Sequence, residues 1–293
     1  MLVFKKAEIG DKKEIDSLLN CSPCESMEYN FTLLFIWQNQ YGIEFAIEDD
    51  ILYIRSGRGK KAYLFPCGRG DLKCAVDKLI DLCPDGLMFY SLNDRQKIFL
   101  EKEYPQKFTF TENRDAGDYV YLSENLANLK GKKLSSKRNH INKFEAENPD
   151  WKYEEITEKN LDEVKKMHEK WCKTQDFNER KGLKEETEAV KIALKNYKEL
   201  GLSGGLIRTN GEVVAFSVGD KLNPDTMLVH IEKAFSSING AYAIINREFV
   251  RHNCNGFLYV NREDDAADEG LRRAKLSYQP YEIIKKYNAK VVK

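Results

Sequence analysis

Apolar and polar positions recur along the first third of the chain with the periods of both helices and strands. Asp11 and Glu14 have the spacing of a capping box, which marks the start of a helix. Two β-rich runs flank residues 48–50, a polar sequence typical of a hairpin turn. The pattern predicts strands at 2–9, 43–47, 51–54, 62–65 and 87–90, and helices from residue 11 and at 31–41, 71–83 and 94–104.

The second half of the chain begins a similar order of elements again. Asn160 and Glu163 repeat the capping spacing before an apolar stripe of helical period. Asn210 and Gly211 predict a type I′ hairpin turn, because both residues tolerate positive φ. The pattern predicts strands at 151–156, 206–208, 213–218, 226–233 and 257–260, and helices from residue 160 and at 185–200, 241–252 and 268–277.

The two halves share this order of elements without a convincing repeat of residues. Each starts with a strand and a capped helix, continues through a further helix and a hairpin, and then alternates strands with helices. The sequence therefore predicts two tandem domains of one α+β type. We place them at residues 1–115 and 116–293, with the boundary in the polar, glycine-containing stretch 112–117.

The composition is that of a globular protein. The 293 residues carry 47 basic and 47 acidic side chains, which excludes a globally basic nucleic-acid-coating protein, and no DNA partner is expected. No apolar run approaches the roughly 20 residues of a membrane span. Residues 1–6 become charged too early for a secretory signal. We therefore expect no membrane span and a cytoplasmic location.

The seven cysteines indicate reduced thiols rather than a disulfide framework, since no export signal is apparent. Cys21 and Cys24 have CxxC spacing, but they follow the end of a predicted helix instead of preceding one. Cys67, Cys74 and Cys83 do not have the spacing of a zinc knuckle. The sequence predicts thiols in loops or in the core, and no metal site.

A basic segment at residues 130–143 is the first candidate for ligand binding. It carries six positive charges and no acid, which suits a phosphate-bearing ligand. Ser135 or Ser136 would cap a helix there and add backbone donors. The alternative is a solvated linker helix. The six charges are Lys130, Lys132, Lys133, Lys137, Arg138 and Lys143.

The strand at 226–233 and the loop after it form the second candidate. Glu232 would act as a general base for an amine, unless it is a surface carboxylate paired with a lysine. Strand alternation places Glu232 and His230 on one face and Lys233 on the other, and a histidine there is commonly hydrogen-bonded within the sheet. The start of the next helix would present free N–H groups to a phosphate. The residues of this anion site are Asn239, Gly240 and Ala241.

Polar residues after the strand at 257–260 form the third candidate, because open sheets bind ligands beyond the ends of their strands. Arg272 and Lys275 are three residues apart and share a helix face, as a clamp for phosphate or carboxylate requires. A Mg²⁺ site at residues 263–265 is less favoured, because adjacent acids point in different directions. The candidates for the cleft are His230, Lys233, Asn261, Arg262, Asp264 and Tyr278.

Four stretches of this sequence carry a resemblance. They are DYVYL at 118–122, KKLSSKRNHINKF at 132–144, NREDD at 261–265 and EGLRRAKLSYQP at 269–280. They resemble a bacterial family that is similar to the C-terminal catalytic domain of phosphatidylglycerol lysyltransferase. The last stretch is the most specific, since the lysyltransferases carry a comparable Gly-Leu-Arg-x-Phe-Lys…Pro run, in which Ala274 here replaces the aromatic residue. The resemblance covers essentially the whole chain, most firmly residues 118–280.

The resemblance implies two tandem GNAT-like acyltransferase domains, each a mixed sheet flanked by helices, an arrangement shared with Fem-type peptidoglycan aminoacyltransferases. It places the working site in the second half, where Glu232 and Lys233 would line a cleft with the Gly240 loop. Arg272 and Lys275 match the family's motif and would face the phosphate or acyl-adenosine end of the donor. Arg138 is assigned to that end by topology alone.

We therefore expect an acyltransferase that moves an aminoacyl group from aminoacyl-tRNA to a hydroxyl or amine acceptor, such as a lipid headgroup, a peptide or a small amine. Glu232 would relay the acceptor's proton, and Arg272 and Lys275 would hold donor phosphate or developing charge. No separate cofactor is required, and peripheral contact with anionic lipid fits this activity. One alternative is an N-acyltransferase that uses a coenzyme A thioester, with the phosphates on the Gly240 loop. The other is a non-catalytic module that binds RNA or anionic surfaces through residues 130–143.

Overall fold

The computed structural model describes residues 2–21, 24–175 and 182–292. The chain divides into two units, each of which is built from more than one stretch of sequence. The first unit is Met1–Asp118 with Asp264–Ala267 and Ile283–Lys293, and the second is Tyr119–Glu263 with Asp268–Glu282.

Helices and strands alternate along both units. The helices of the described ranges are α1 (Lys12–Leu19), α2 (Phe31–Tyr41), α3 (Leu72–Leu82), α4 (Asp94–Glu103), α5 (Ser123–Asn128), α6 (Ser135–Glu147), α7 (Leu161–Lys173), α8 (Leu183–Lys195), α9 (Ala241–Asn253) and α10 (Glu269–Leu276). The strands there are β1 (Glu44–Glu48), β2 (Ile51–Ser56), β3 (Ala62–Tyr63), β4 (Cys67–Gly68), β5 (Met88–Leu92), β6 (Phe108–Glu112), β7 (Asp118–Leu122), β8 (Lys152–Glu155), β9 (Ser203–Thr209), β10 (Glu212–Asn223), β11 (Thr226–Ala234), β12 (Tyr259–Asn261), β13 (Glu282–Ile284) and β14 (Tyr287–Val291). Over the residues with assigned positions, no helix combines the length and the apolar character that a bilayer crossing demands.

The sheet of the first unit has the strand order β1-β2-β3-β5-β14-β6, with β4 also paired to β2. It is a mixed sheet, because β3 runs parallel to β5 whereas β1, β14 and β6 pair antiparallel with their neighbours. Its core contains Val76 and Leu79 from α3, Leu100 from α4 and Phe89 from β5, all inaccessible to solvent.

The hairpin predicted around residues 48–50 is confirmed. Glu48 and Ile51 are paired, and the two residues between them, Asp49 and Asp50, have φ values of 53° and 57°. A type I′ turn needs a left-handed conformation at both central positions, and short polar side chains tolerate it.

Two predictions near the N-terminus are wrong. Residues 2–9 do not form a strand, since Lys5 makes only an isolated bridge to Phe45. Asp11 does not cap α1; instead its carboxylate accepts the backbone N–H of Glu8 at 2.8 Å, one turn earlier. This side chain therefore stabilises the short 3-10 turn that precedes α1.

The C-terminal strand belongs to the first unit. β14 lies between β5 and β6, with Ala289 opposite both Phe89 and Phe110. The sequence-based division placed all of 116–293 in the second domain. In the structure, residues 283–293 belong to the first unit, and the main division follows Asp118. Strand order of this kind depends on contacts between distant parts of the chain, which local patterns do not encode.

The sheet of the second unit has the strand order β7-β12-β11-β10-β9-β8. It is also mixed, because β11 runs parallel to β12 and the remaining pairs are antiparallel. The predicted fold class, α+β with a mixed sheet flanked by helices in each of two tandem units, is confirmed. The predicted type I′ turn is confirmed as well, since Asn210 and Gly211 have φ values of 50° and 77°.

β11 and β12 run side by side for only three positions and then separate. Their pairing starts at Thr226 and ends where Leu228 faces Asn261. β11 continues to Ala234, while β12 stops at Asn261. The backbone of β11 beyond Leu228 is therefore not paired with β12, which leaves an opening in the sheet on that side.

A β-bulge lies at the start of this opening. Ile231 pairs with Val218 and Val229 pairs with Gly219, which leaves His230 as the extra residue of β11. Bulges bend a strand and change the direction of a side chain. The strict alternation predicted for 226–233 is interrupted at this point.

Candidate functional site

The carboxylate of Glu232 is the centre of a polar cluster at the opening between β11 and β12. Its Oε1 accepts a hydrogen bond from Nη2 of Arg262 at 2.8 Å, and its Oε2 accepts one from Nδ2 of Asn246, on α9, at 2.9 Å. The side chains of Glu232 and Arg262 are only 13% and 10% exposed. A carboxylate has about four lone-pair positions, so two of them remain for a further donor.

Three buried polar atoms in this cluster have no hydrogen-bond partner among the described residues. They are Nη1 of Arg262, Oδ1 of Asn246 and Oγ of Ser217. Ser217 lies directly opposite Glu232 in the register of β10 and β11. Buried polar groups are nearly always paired, so a group of exceptions marks a place where a ligand would complete the hydrogen bonds.

The ring of Tyr278 binds two cations beside this cluster. Nζ of Lys137 lies 4.1 Å from the ring centroid, and the guanidinium carbon of Arg262 lies 4.9 Å from it. Burial and the charge of Arg262 lower the pKa of Lys137, and Glu232 opposes this only in part. Burial also raises the pKa of Tyr278, so its phenol stays protonated at neutral pH.

His230 is held between two carboxylates. Its Nδ1 lies 2.9 Å from Oε1 of Glu263, and its Nε2 lies 3.0 Å from Oδ1 of Asp220, on β10. Burial alone would lower the pKa of His230, but the two carboxylates outweigh it and raise the pKa to about 10. Both ring nitrogens are used within the protein, so His230 offers none to a substrate.

The structure gives different environments to the two residues of the predicted clamp. Lys275 is buried, its ammonium donates to the backbone carbonyl of Arg262, and its own carbonyl accepts the Tyr121 hydroxyl at 2.8 Å. Arg272 is half-buried on the same helix, α10. Lys275 therefore supports the backbone that carries Arg262.

Two further cleft candidates shape the chain after β12. Asn261 is buried, and its Oδ1 accepts the N–H of Glu263 at 2.8 Å. Asp264 belongs to the first unit, where its carboxylate accepts the N–H of Ala266 at 3.1 Å.

The acids suggested for Mg²⁺ are engaged separately. Glu263 contacts His230, and Asp265 pairs with Arg114 at 3.4 Å within the first unit. Over the ranges whose placement is given, His, Cys, Asp and Glu side chains do not gather into a group of three that could hold a metal ion. The seven cysteines are free thiols.

The basic segment does not form one continuous surface. α6 begins at Ser135, which therefore lies inside the helix instead of capping it, and this part of the prediction is wrong. Arg138 donates to the backbone carbonyls of residues 129 and 131. Lys133 is exposed, whereas Lys137 reaches the ring of Tyr278. The positive charges of this segment therefore have different surroundings and do not act together as one ligand-binding surface.

The predicted anion loop before α9 packs against α6. Gly240 has a φ of 77°, and a Cβ there would lie 2.2 Å from the carbonyl oxygen of His140. The N–H of Ala241 donates to a backbone carbonyl three residues earlier, and the amide of Asn239 donates to the Glu147 carboxylate at 3.4 Å. Carbonyl and carboxylate oxygens next to this loop make it unfavourable for a phosphate.

Gly240→Ala is expected to destabilise the protein more than Gly201→Ala does. Gly201 also has a positive φ, of 70°, but an added Cβ there would meet no atom of the described residues within 4 Å. In both variants, an alanine in the left-handed backbone conformation costs about 1–2 kcal/mol of folding free energy. At Gly240, the close contact of the added Cβ with His140 costs about 1–3 kcal/mol more. Urea unfolding of the two variants measures the difference. Equal losses would show that α6 does not pack on the loop as described.

Lys233 lies on the other face of the sheet. Its ammonium pairs with Glu186 of α8 and lies 4.2 Å from the ring of Trp171 on α7. Glu232 contacts α9 instead. Adjacent residues of a strand point to opposite faces, which separates Lys233 from the Glu232 cluster.

Ser217, Asn246 and Asp220 were not predicted from the sequence. A signal was present for the first two, because each is a polar residue within an apolar run, on β10 and α9 respectively. A polar side chain at a buried position has to be hydrogen-bonded or functional. Asp220 shows no such pattern, and its contact with His230 depends on the bulge.

Comparison with known proteins places this architecture in a family. The sequence matches the family described as phosphatidylglycerol lysyltransferase, C-terminal, over residues 23–290. The chain belongs to this family. Family and fold together make it an acyltransferase of the lysyltransferase C-terminal type.

Three relatives illustrate the match. A conserved protein of unknown function from Bacteroides thetaiotaomicron is similar at 39% identity and a TM-score of 0.94, with 100% of both chains covered. The C-terminal domain of a putative lysylphosphatidylglycerol synthetase from Agrobacterium fabrum is 12% identical with a TM-score of 0.67, over 96% of this chain and 91% of that one. An uncharacterized protein from Mycoplasmoides gallisepticum is 26% identical over 210 residues, which are 71% of this chain and 67% of that protein.

Proposed function

We propose that the chain transfers an aminoacyl group from aminoacyl-tRNA to a hydroxyl or amine acceptor, with Glu232 and Arg262 at the reacting atoms. The observation that carries this proposal is the buried, unpartnered Nη1 of Arg262, next to a carboxylate that keeps lone pairs available. Acyl transfer from an ester needs a proton acceptor and a donor to the oxyanion, and this ion pair supplies both.

In the proposed reaction, the acceptor's oxygen or nitrogen attacks the ester carbonyl carbon and its proton passes to Glu232. The carbonyl oxygen becomes an oxyanion and accepts a hydrogen bond from Nη1 of Arg262. When the tetrahedral intermediate collapses, the bond to the ribose oxygen breaks and Glu232 returns the proton to that oxygen. The protein itself is not acylated, and its contribution is positioning and electrostatic stabilisation.

The remaining unpartnered atoms favour a donor that carries an ammonium group. Oδ1 of Asn246 and Oγ of Ser217 are able to accept hydrogen bonds from a ligand, and Glu232 adds negative charge beside them. An aminoacyl ester has an α-ammonium next to the reacting carbonyl, whereas an acetyl group has no donor to offer. Arg272 and Lys133 remain the proposed contacts for donor phosphate.

The two alternatives have less support. The coenzyme A alternative depends on the Gly240 loop, which is packed against α6 and next to a carboxylate. The binding-module alternative depends on residues 130–143, where Arg138 is bonded to backbone carbonyls and Lys137 faces the Glu232 cluster.

Anionic lipid fits the proposed aminoacyl transfer as an acceptor, since a phosphatidylglycerol headgroup offers a hydroxyl.

Purified protein is expected to move radiolabelled lysine from lysyl-tRNA to phosphatidylglycerol vesicles or to a small amine. Glu232→Gln is expected to slow this transfer by about 10²–10⁴-fold, because the proton acceptor is lost. Glu269→Gln is the matched control, since Glu269 is an exposed acid on α10. Label in the acceptor is measured after separation from tRNA.

Other results would contradict the proposal in distinct ways. Consumption of acetyl-CoA with lysyl-tRNA left intact would favour the coenzyme A enzyme. Binding of tRNA or anionic vesicles without turnover, and with equal affinity for wild type and Glu232→Gln, would favour the binding module.

A further inference from the structure

Two ion pairs of opposite polarity cross the opening between β11 and the chain that follows β12. Glu232 on β11 accepts from Arg262, and two residues earlier His230 on β11 contacts Glu263. The acid is on β11 in the first pair and after β12 in the second. The backbone of the two strands is no longer paired here, so side chains connect them instead.

The His230 pair is the more enclosed of the two. The side chain of His230 is 1% exposed, and Asp220 of β10 contacts its second nitrogen, which links three successive parts of the sheet. The Glu232 pair, in contrast, retains unpartnered atoms. One pair is thus fully satisfied within the protein, and the other has the capacity to bind a further group.

We infer that His230 is a positioning residue, which holds Glu263 and thereby keeps the adjacent Arg262 against Glu232 in the opened sheet. This inference rests on the proposed function of that ion pair and adds a residue to it. His230 does not contact the reacting atoms. It acts through the backbone of residues 261–263, which the side chain of Asn261 and the ammonium of Lys275 also hold.

The chemistry of imidazolium suits this position. Its two N–H groups point in opposite directions, so one ring donates to two carboxylates on opposite sides. Asp220 faces it from β10 and Glu263 faces it from the chain after β12. A neutral ring would place a lone pair against one of these carboxylates, which is repulsive. The two contacts together therefore require the charged form.

His230→Gln is expected to lower kcat for aminoacyl transfer at least tenfold, with KM for aminoacyl-tRNA within twofold of wild type. Arg262 would lose its position, whereas Arg272 and Lys133, the proposed contacts for donor phosphate, would not move. His140→Gln is the matched control, because His140 is exposed. A folded His230→Gln protein with wild-type kcat would overturn the inference.

A second readout does not depend on activity. In side-chain ¹⁵N spectra, with the signal assigned through Arg262→Lys, the guanidinium signal of Arg262 is expected to shift in His230→Gln and to stay unchanged in His140→Gln. An unchanged signal in folded His230→Gln would refute the positioning role. If wild type transfers nothing, the proposed function fails, but this spectrum still tests the inference. If His230→Gln does not fold, Glu263→Gln, which leaves the His230–Asp220 contact in place, is expected to shift the same signal.

The charge state of His230 is measured in the same experiment. Since Asp220 and Glu263 raise the pKa of His230 to about 10, both ring nitrogens are expected to be protonated at pH 8. A group with a raised folded-state pKa stabilises the protein below its ordinary pKa of about 6.5 and loses this contribution as the pH rises towards the folded value. A ring nitrogen found unprotonated at pH 8 would contradict the two-carboxylate geometry.

Discussion

Arg262→Lys is expected to reduce aminoacyl transfer by about 10²–10³-fold while the protein stays folded. The guanidinium uses Nη2 for Glu232 and leaves Nη1 for the oxyanion, at fixed separation and in one plane. A lysine ammonium keeps the charge but lacks this fork, so it cannot serve both partners in the same geometry. Single-turnover transfer from labelled aminoacyl-tRNA measures the effect on the chemical step.

Arg273→Lys is the control for this substitution. Arg273 lies on α10, pairs with Glu269 and is 76% exposed. Its replacement is expected to leave the rate within twofold of wild type. If Arg262→Lys also left the rate within twofold of wild type, another group would have to stabilise the oxyanion. That result would contradict the role assigned to the Arg262 guanidinium.

Lys286→Met is expected to destabilise the first unit by about 3–5 kcal/mol. Lys286 is inaccessible to solvent, and its ammonium bonds to Glu28 at 2.6 Å and to Asp118. Removal of the cation leaves two buried carboxylates close together without the ammonium that binds both of them. Calorimetry is expected to show a fall in Tm on the order of 10 °C.

Lys285→Met provides the matched control, because the neighbouring Lys285 is exposed. It is expected to change Tm by less than about 2 °C, as surface substitutions usually do. Burial opposes the charge of Lys286, but Asp118 and Glu28 outweigh it and raise its pKa, so the ammonium stays charged in the folded wild type from pH 6 to 9. Equal Tm values for the two variants would show that Lys286 does not stabilise the packing of β14 within the first unit.

Most of the predicted local elements have bounds within about two residues of the observed ones, whereas β10 extends to Asn223 and α8 ends at Lys195, each about five residues from the predicted end. The helix expected at 31–41 is α2, which begins after the side-chain cap of Asn30 and ends at Gly42 with a φ of 62°. The Asn210–Gly211 turn was predictable for the same reason, because a two-residue conformation determines it. The strand expected at 2–9 failed because a strand needs a neighbour, and only Lys5 finds one there.

The sequence predicted which residues form the site better than it predicted how they are arranged. Glu232, Arg262, Lys137 and Tyr278 were all candidates from the sequence, and the structure brings them together. Lys275 was expected to face the donor, yet its buried ammonium holds the carbonyl of Arg262. Side-chain type indicates what a residue is able to do, whereas burial and neighbours decide what it does.

The sequence by itself determined the α+β class, the hairpins and the family, because these depend on residue type and short-range spacing. The caps predicted at Asp11 and Asn160 are wrong, since neither side chain accepts a hydrogen bond from the first turn of its helix. Only the tertiary structure decided that β14 completes the first sheet and that β11 separates from β12 after Leu228. It also decided which polar atoms lack partners, and that the Gly240 loop faces a carbonyl instead of open solvent. The physical reason is that strand order, desolvation and hydrogen-bond satisfaction arise from contacts between residues far apart in the chain, for which local sequence patterns contain no information.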